Sequence, residues 1–536
     1  MNNASMFGNP TMGRRAFTAA LSATALCALG YVALGGAADA GADEGGKTLE
    51  AGSTGYFYNE TLDPAYSWDG WELEYYGVAE NLLRLTDDFQ VEPWLASGVE
   101  NVDELTWTIE LRDDVVYSNG EPMTGEMVKR CWERTFEVNP RAAETLDLDA
   151  IEADGSTLTV TTKTPVPSFK NIICDPLFCI YYVQDDEGYD YEGQGTPCTG
   201  PYTVSDFVFA DHVTLVPNEN YWNGAAQIDK IVLHTYTDND SMNMAMQNGE
   251  LQVLAMPASS AYMTLTDESL YQVCSTVSTR ADFVRFNMAH PVVQNDAVRL
   301  AVAHCIDREG YAQAICAGTE TASYGVYSAQ LPYGGTEGLD VTVTGLDTDA
   351  AAKVLDDAGC LDNDGDGVRE LPDGTPIEIN LFNCTSYERF VRLADDLQSK
   401  LSSVGIKLNI HSVDYWLQDT ETYGKDDPDM TIDSYGMAPT GDADYFASMC
   451  FKTGGSNNFG GYSNEEVDAL VEKLESQFEQ DERDATAQEI AQKVLDDNAY
   501  IFFANAHTSY IATNEVSGIA VAPSEYYFIT KDTAIA

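Results

Sequence analysis

Residues 79–136 constrain the fold more than any other part of the chain. Thr106-Trp107-Thr108-Ile109-Glu110-Leu111-Arg112 places an apolar side chain at every second position, the period of a strand with one face buried. Ser118-Asn119-Gly120 then turns the chain, and Pro122, which has no amide proton, stops further ladder pairing. Thr124 is placed to cap a helix over 125–136, where Met127, Val128, Cys131, Trp132 and Phe136 share one face. The segment is therefore a small mixed α/β unit with a hairpin. In a chain of 536 residues it is one part of a larger body, and two or three lobes are expected.

The same patterns recur downstream. Residues 156–162 alternate with Leu158 and Val160 inward, and 377–382 and 406–410 read as strands. Helices are expected over 242–250, 350–358 and 393–404, and over 296–308 with Val298, Ala301, Val302 and Cys305 on one face. Ser463 with Glu466 reads as a capping box before a helix carrying Val467, Leu470, Val471 and Leu474.

The first forty residues read as a targeting segment. Arg14-Arg15-Ala16-Phe17 precedes an uncharged stretch ending at Ala38-Asp39-Ala40, which suggests a cleaved export signal of the twin-arginine kind. The formal net charge of −59 argues against nucleic-acid partners, because such a surface repels phosphate. Ten cysteines follow the signal with no CxxC among them, which excludes a zinc ribbon or a thioredoxin-like motif. Their even number allows disulfides, and their wide spacing equally suits buried thiols.

The order of motifs points to a family. Leu82-Leu83-Arg84-Leu85, Pro93-Trp94-Leu95-Ala96, Leu105-Thr106-Trp107-Thr108 and Asn119-Gly120-Glu121-Pro122-Met123-Thr124 follow one another. Pro197-Cys198-Thr199-Gly200-Pro201-Tyr202, Asn220-Tyr221-Trp222, Phe283-Val284-Arg285-Phe286-Asn287 and Val298-Arg299 with Ile306-Asp307-Arg308 come later. This series resembles the extracellular solute-binding proteins of peptide- and nickel-type ABC importers (solute-binding protein family 5). The resemblance runs from about residue 48 to the carboxy terminus. It implies an α/β, type II periplasmic-binding-protein-like (Venus flytrap) fold, with mixed sheets in two main lobes joined by two crossings and a small inserted α/β lobe. The expected divisions are 1–40 signal, 41–76 first lobe, 77–197 inserted lobe, 198–279 first lobe again, 280–505 second lobe and 506–536 a return to the first. An exported monomer in the cell envelope, capturing a solute in the cleft and handing it to permease subunits, is the function that follows.

Short peptides are the leading solute class, followed by a nickel chelate or another small polar solute. A sensory or interaction receptor on the same fold is the alternative of another class. A secreted hydrolase would need a nucleophile or metal cluster, and HExxH, GxSxG and Walker sequences are all missing; no enzyme is expected. The resemblance places the ligand near Trp416, Tyr435 and Gly436; it also puts Leu62-Asp63-Pro64 on the cleft rim after a first strand, so Tyr56 and Tyr58 of the preceding β-like run are expected to face the ligand. Peptide-binding members hold the ligand's α-ammonium with an Asp that falls here on Pro439, so Asp442 or Asp444 is expected to replace it. Finally, Asp362, Asp364, Asp366 and Asp373 occupy positions 1, 3, 5 and 12 of a calcium-like loop with Gly367 at position 6. Ca2+ is the one cofactor the chain suggests.

Overall fold

The computed structural model describes residues 46–55, 60–186, 188–385, 387–413 and 428–536. A continuous sheet of 11 strands organises both main lobes. Its order is Lys407–Val413, Glu378–Cys384, Met430–Gly436, Tyr271–Phe286, Tyr500–Thr513, Val253–Ala255, Thr48–Ser53, Lys230–Thr235, His212–Pro217 and Tyr202–Val208, with Glu320–Ala322 also on Tyr500–Thr513. Glu378–Cys384 runs parallel to both its neighbours, and Thr48–Ser53 runs parallel to both of its own. The remaining pairs are antiparallel, so the sheet is mixed.

Two long strands carry the chain from lobe to lobe. Tyr271–Phe286 pairs with Tyr500–Thr513 at both ends, but the register breaks between Val277 and Ala281. The Ser278 hydroxyl donates to Ala506 O at 2.9 Å and accepts from Arg280 N at 3.1 Å, so the bulge has its own hydrogen bonds. Beyond it, Ala281–Phe286 is flanked on its other edge by Met430–Gly436. A bulge releases residues from the ladder and re-aims their side chains. Here it releases Thr279 and Arg280, which line the cleft between the lobes. The second lobe has its own core around Val284, Leu381 and Ile432, covered by the helix Glu388–Ser403 through Phe390, Leu393 and Leu397.

The inserted lobe is built on the opening segment. A separate four-stranded sheet has the order Ala96–Asn101, Thr106–Leu111, Thr157–Thr162, Leu148–Asp154. Trp107 and Ile109 are inward as the alternation requires, and Trp107 stacks on Phe169 with centroids 4.8 Å apart. Thr124 Oγ1 accepts from Met127 N at 3.3 Å and starts the helix Gly125–Val138. Val128, Cys131 and Trp132 of that helix are fully buried, and the Trp132 indole donates to Phe178 O at 3.1 Å. The molecule is thus a Venus flytrap with two main lobes and an inserted α/β lobe.

Two local expectations are corrected, and an open alternative is decided. Asn464, not Ser463, caps the helix Glu465–Leu474. Its side-chain oxygen accepts from Glu466 N and Val467 N, while the Ser463 hydroxyl accepts from Thr453. The helix expected over 296–308 stops at Cys305, because Ile306 is extended and Asp307 caps a new turn by accepting from Gly310 N. Each of the ten cysteines among the described residues is a free thiol, and all but Cys274 are buried.

The Thr199-Gly200-Pro201 turn shows why glycine is required there. Gly200 N donates to Val78 O, Asn218 Nδ2 donates to Gly200 O, and a Cβ on Gly200 would press on the carbonyl oxygens of Gly77 and Val78. Neither backbone carbonyl can rotate away as a side chain would. Gly200→Ala is expected to cost about 1–3 kcal/mol, read as a lower urea midpoint at unchanged slope.

Candidate functional site

A cleft lies between the lobes, lined by residues of both. One wall begins at the helix Asp69–Tyr75. A Cβ on Gly70 would lie 2.7 Å from Pro64 O and 2.8 Å from Pro176 O, so this helix packs backbone to backbone against its neighbours. That approach carries Trp68 and Trp71 into the cavity lining. The Trp71 indole donates to Glu525 O at 2.9 Å and meets the Tyr526 ring edge-on at 6.2 Å. Flat aromatic faces of this kind supply apolar contact area at low conformational cost.

Two arginines line the cavity, in opposite states. Arg280 forms a two-pronged pair with Glu525, Nε to Oε1 at 3.0 Å and Nη2 to Oε2 at 2.7 Å, and its charge is answered within the protein. Arg141 sits at the start of the helix Pro140–Thr145, where Asn139 caps the chain by accepting from Arg141 N. Its guanidinium lies 3.4 Å above the Trp68 ring, and the nearest carboxylate oxygen, on Asp175, is 3.8 Å away, beyond hydrogen-bond range. Asp175 itself accepts from Leu177 N at 2.9 Å. Arg141 thus keeps donors for an anionic group while Trp68 holds its plane.

Of the residues expected at the ligand, Tyr435 and Gly436 line the cavity, at the end of the strand Met430–Gly436 beside Arg280. Pro439 lines it too. Asp442 is not in that lining. It is buried against Arg483, accepting from Nε at 3.0 Å and Nη2 at 2.5 Å, and Arg483 also donates to Leu474 O and Gln477 O. The carboxylate expected to serve the ligand is therefore committed to an internal ion pair. Asp444 accepts from the Ser448 hydroxyl at 2.6 Å, and burial together with the neighbouring Asp442 pushes its pKa up to about 6. It too stands outside the lining. Trp416, Tyr56 and Tyr58 lie outside the described residues. Trp68, Trp71, Arg141, Tyr445 and Tyr526 were not singled out in the sequence. The available signal was Trp68-Asp69-Gly70-Trp71, two tryptophans three apart just after the Asp63-Pro64 turn.

The acidic loop assembles differently from its expected spacing. Carboxylate oxygens of Asp362, Asp364, Asp366 and Glu370 all come within 4.8 Å of one another. Gly365 N and Gly367 N both donate to Asp362, and Asn363 holds Glu370 through its main-chain and side-chain amides. Gly365 and Gly367 have φ of 82° and 91°, which a Cβ would resist. Asp373 is not part of the group; its carboxylate accepts from Thr375 N. Four convergent hard oxygen ligands fit Ca2+.

The model of the bacterial extracellular solute-binding proteins, family 5, matches residues 90–458. The nickel-binding protein NikA of Staphylococcus aureus is 26% identical over 465 residues, covering 86% of this chain and 89% of that protein. The glutathione-binding protein GsiB of Salmonella paratyphi A is 25% identical over 433 residues, 76% and 80% of the two chains. Among solved structures, NikA from Brucella suis in complex with Fe(III)-EDTA superposes with a TM-score of 0.81 at 20% identity, covering 91% of this chain and all of that one. No helix among the described residues is long and apolar enough to cross a membrane. The chain belongs to the bacterial extracellular solute-binding proteins of family 5, the receptors of peptide- and nickel-type ABC importers.

Proposed function

We propose that this receptor captures a short peptide in the interlobe cleft by its carboxylate, and delivers it to the importer's permease subunits as an exported monomer. The observation that carries this reading is Arg141, a guanidinium stacked on Trp68 whose ion pair with Asp175, at 3.8 Å, is too long for a hydrogen bond. Trp71, Tyr445 and Tyr526 add flat walls beside it. Binding drives closure only through higher affinity for the closed form. The bulge at residues 278–280 places Thr279 and Arg280 in the cleft at the crossing of the lobes, where closure would be felt. Binding in such a cleft requires no reaction, in keeping with relatives that are binding proteins.

A nickel chelate is the second reading, and Pro439 favours it. Pro439 stands in the wall where peptide-binding members place an acidic residue, while Asp442 and Asp444 are held elsewhere. A carboxylate-bearing chelate would use the same Arg141 contact. Thermal-shift and calorimetric titration with a tripeptide pool and with nickel plus histidine separates the two. The first reading expects the peptide pool to act alone, and a shift from the nickel chelate alone replaces it with the second.

We also propose a stabilising Ca2+ held by Asp362, Asp364, Asp366 and Glu370. Millimolar calcium is expected to raise the melting temperature by a few degrees, an effect lost in Glu370→Gln and retained in Asp373→Asn. An equal shift in all three proteins would remove Glu370 from the site.

A further inference from the structure

We propose that Phe89 and Asn171 of the inserted lobe latch onto the second-lobe loop 438–444 and hold the cleft shut. The latch touches no solute and sets the affinity for all of them alike, so both are positioning residues. This rests on the receptor reading of the cleft, but on no particular solute.

One half of the latch is a strained hairpin tip. Leu83–Leu85 and Val91–Pro93 pair antiparallel, and Thr86 N donates to Gln90 O at 2.9 Å across the turn between them. Phe89 stands in this turn with φ of 58°, a left-handed backbone that bulky residues rarely adopt. Such strain persists only where the surroundings hold it. Asp88 and Gln90 on either side are exposed, yet Phe89 is only 4% exposed. An apolar ring at the tip of a two-stranded hairpin stays dry only if another part of the molecule covers it.

That cover comes from the second lobe. Gly441 lies beyond the strand Met430–Gly436, and a Cβ on it would be 3.1 Å from both Phe89 Cβ and Phe89 O. Glycine with φ of 80° is what lets the two backbones come this close. Asn171 Nδ2 donates to Thr440 O at 2.7 Å, and Ser168 Oγ lies 3.5 Å from Asp444 Oδ2. The loop is braced to receive these contacts. Asp442 accepts from Asp444 N at 2.9 Å as well as from Arg483, and the Tyr333 hydroxyl donates to Gly441 O at 3.2 Å.

Phe89, Asn171, Thr440 and Gly441 stand outside the cleft lining, although Pro439 of the same loop belongs to it. Separating the lobes would break the Asn171 bond and expose the Phe89 ring. The shut form is therefore favoured before any solute contact counts. Apparent affinity is the intrinsic affinity scaled by the fraction of the competent form. Weakening the latch lowers the affinity for every solute by one common factor.

The test compares wild type with Phe89→Asn and Asn171→Ala, each checked for folding by circular dichroism and melting temperature. Asparagine adopts the left-handed backbone readily, so the first variant removes the ring and keeps the turn. In small-angle X-ray scattering without added solute, the wild type is expected to match the shut form. Both variants are expected to show a larger radius of gyration. Calorimetric titration uses a tripeptide pool, its carboxy-terminal amides, and nickel plus histidine. Any of these that binds wild type should bind Phe89→Asn about tenfold more weakly and Asn171→Ala about threefold more weakly. Within each variant the factor should be the same for all of them, whereas Arg141→Ala should change the ratio of free acid to amide. Identical scattering from the three proteins would overturn the latch. So would a loss confined to one solute class, which would put Phe89 or Asn171 in contact with that solute. If none of the three binds wild type, the solute classes assigned to the cleft fail, and the scattering comparison still decides the latch.

Discussion

Asp442→Ala is expected to lower the stability of this protein by about 3–5 kcal/mol, the usual cost of leaving one half of a buried ion pair behind. The side chains of Asp442 and Arg483 are 4% and 3% exposed, and their contact is two-pronged. Among the described residues, truncation would leave a buried guanidinium whose hydrogen-bond partners are the carbonyls of Leu474 and Gln477. Those two bonds hold Arg483 in place, so it has no route to solvent. Replacing both partners, Asp442→Leu with Arg483→Met, should recover much of the loss, since well-packed apolar groups remove the stranded charge. Urea denaturation of the three variants checks this. Unchanged stability in Asp442→Ala together with lost solute binding would instead return Asp442 to the ligand.

The second large effect concerns the cleft. Arg141→Ala should weaken binding of a carboxylate-bearing solute by about tenfold to a hundredfold, the equivalent of one charge-assisted bond of about 1.5–3 kcal/mol. The fold should tolerate the change, because the Asp175 contact at 3.8 Å is too long to be a hydrogen bond. Arg141→Lys should recover only part of the affinity. An ammonium keeps the charge but cannot lie flat on Trp68 and present a planar fork at once. Calorimetric titration of both variants, with melting temperature as the control, separates lost binding from lost structure.

The fold was legible because its signals are local or ordered along the chain. The alternation of Trp107, Ile109 and Leu111 needs only the period of a strand, and Thr124 needs only its own next turn. The cap at Asn464 was misassigned for an equally local reason. Ser463 and Asn464 are both good capping residues, and only the tertiary bond from Thr453 takes Ser463 out of the competition. The fourth carboxylate of the acidic loop was misplaced because the loop closes on itself at Glu370, held by Asn363, before it reaches Asp373. The site was less legible because its decisive contacts are long-range. Asp442 meets a partner 41 residues away. Arg141 acquires meaning only when the helix at Trp68 is folded beneath it. Neither distance is written in a spacing.

The central claim is that the cleft holds its solute by a carboxylate at Arg141. A titration comparing one tripeptide pool with the same pool as carboxy-terminal amides, on wild type and Arg141→Ala, tests it most directly. The free-acid pool is expected to bind the wild type at least about tenfold more tightly than the amidated pool, and that preference is expected to vanish in Arg141→Ala. Equal binding of the two pools by the wild type, or a free-acid preference that survives in Arg141→Ala, would contradict it.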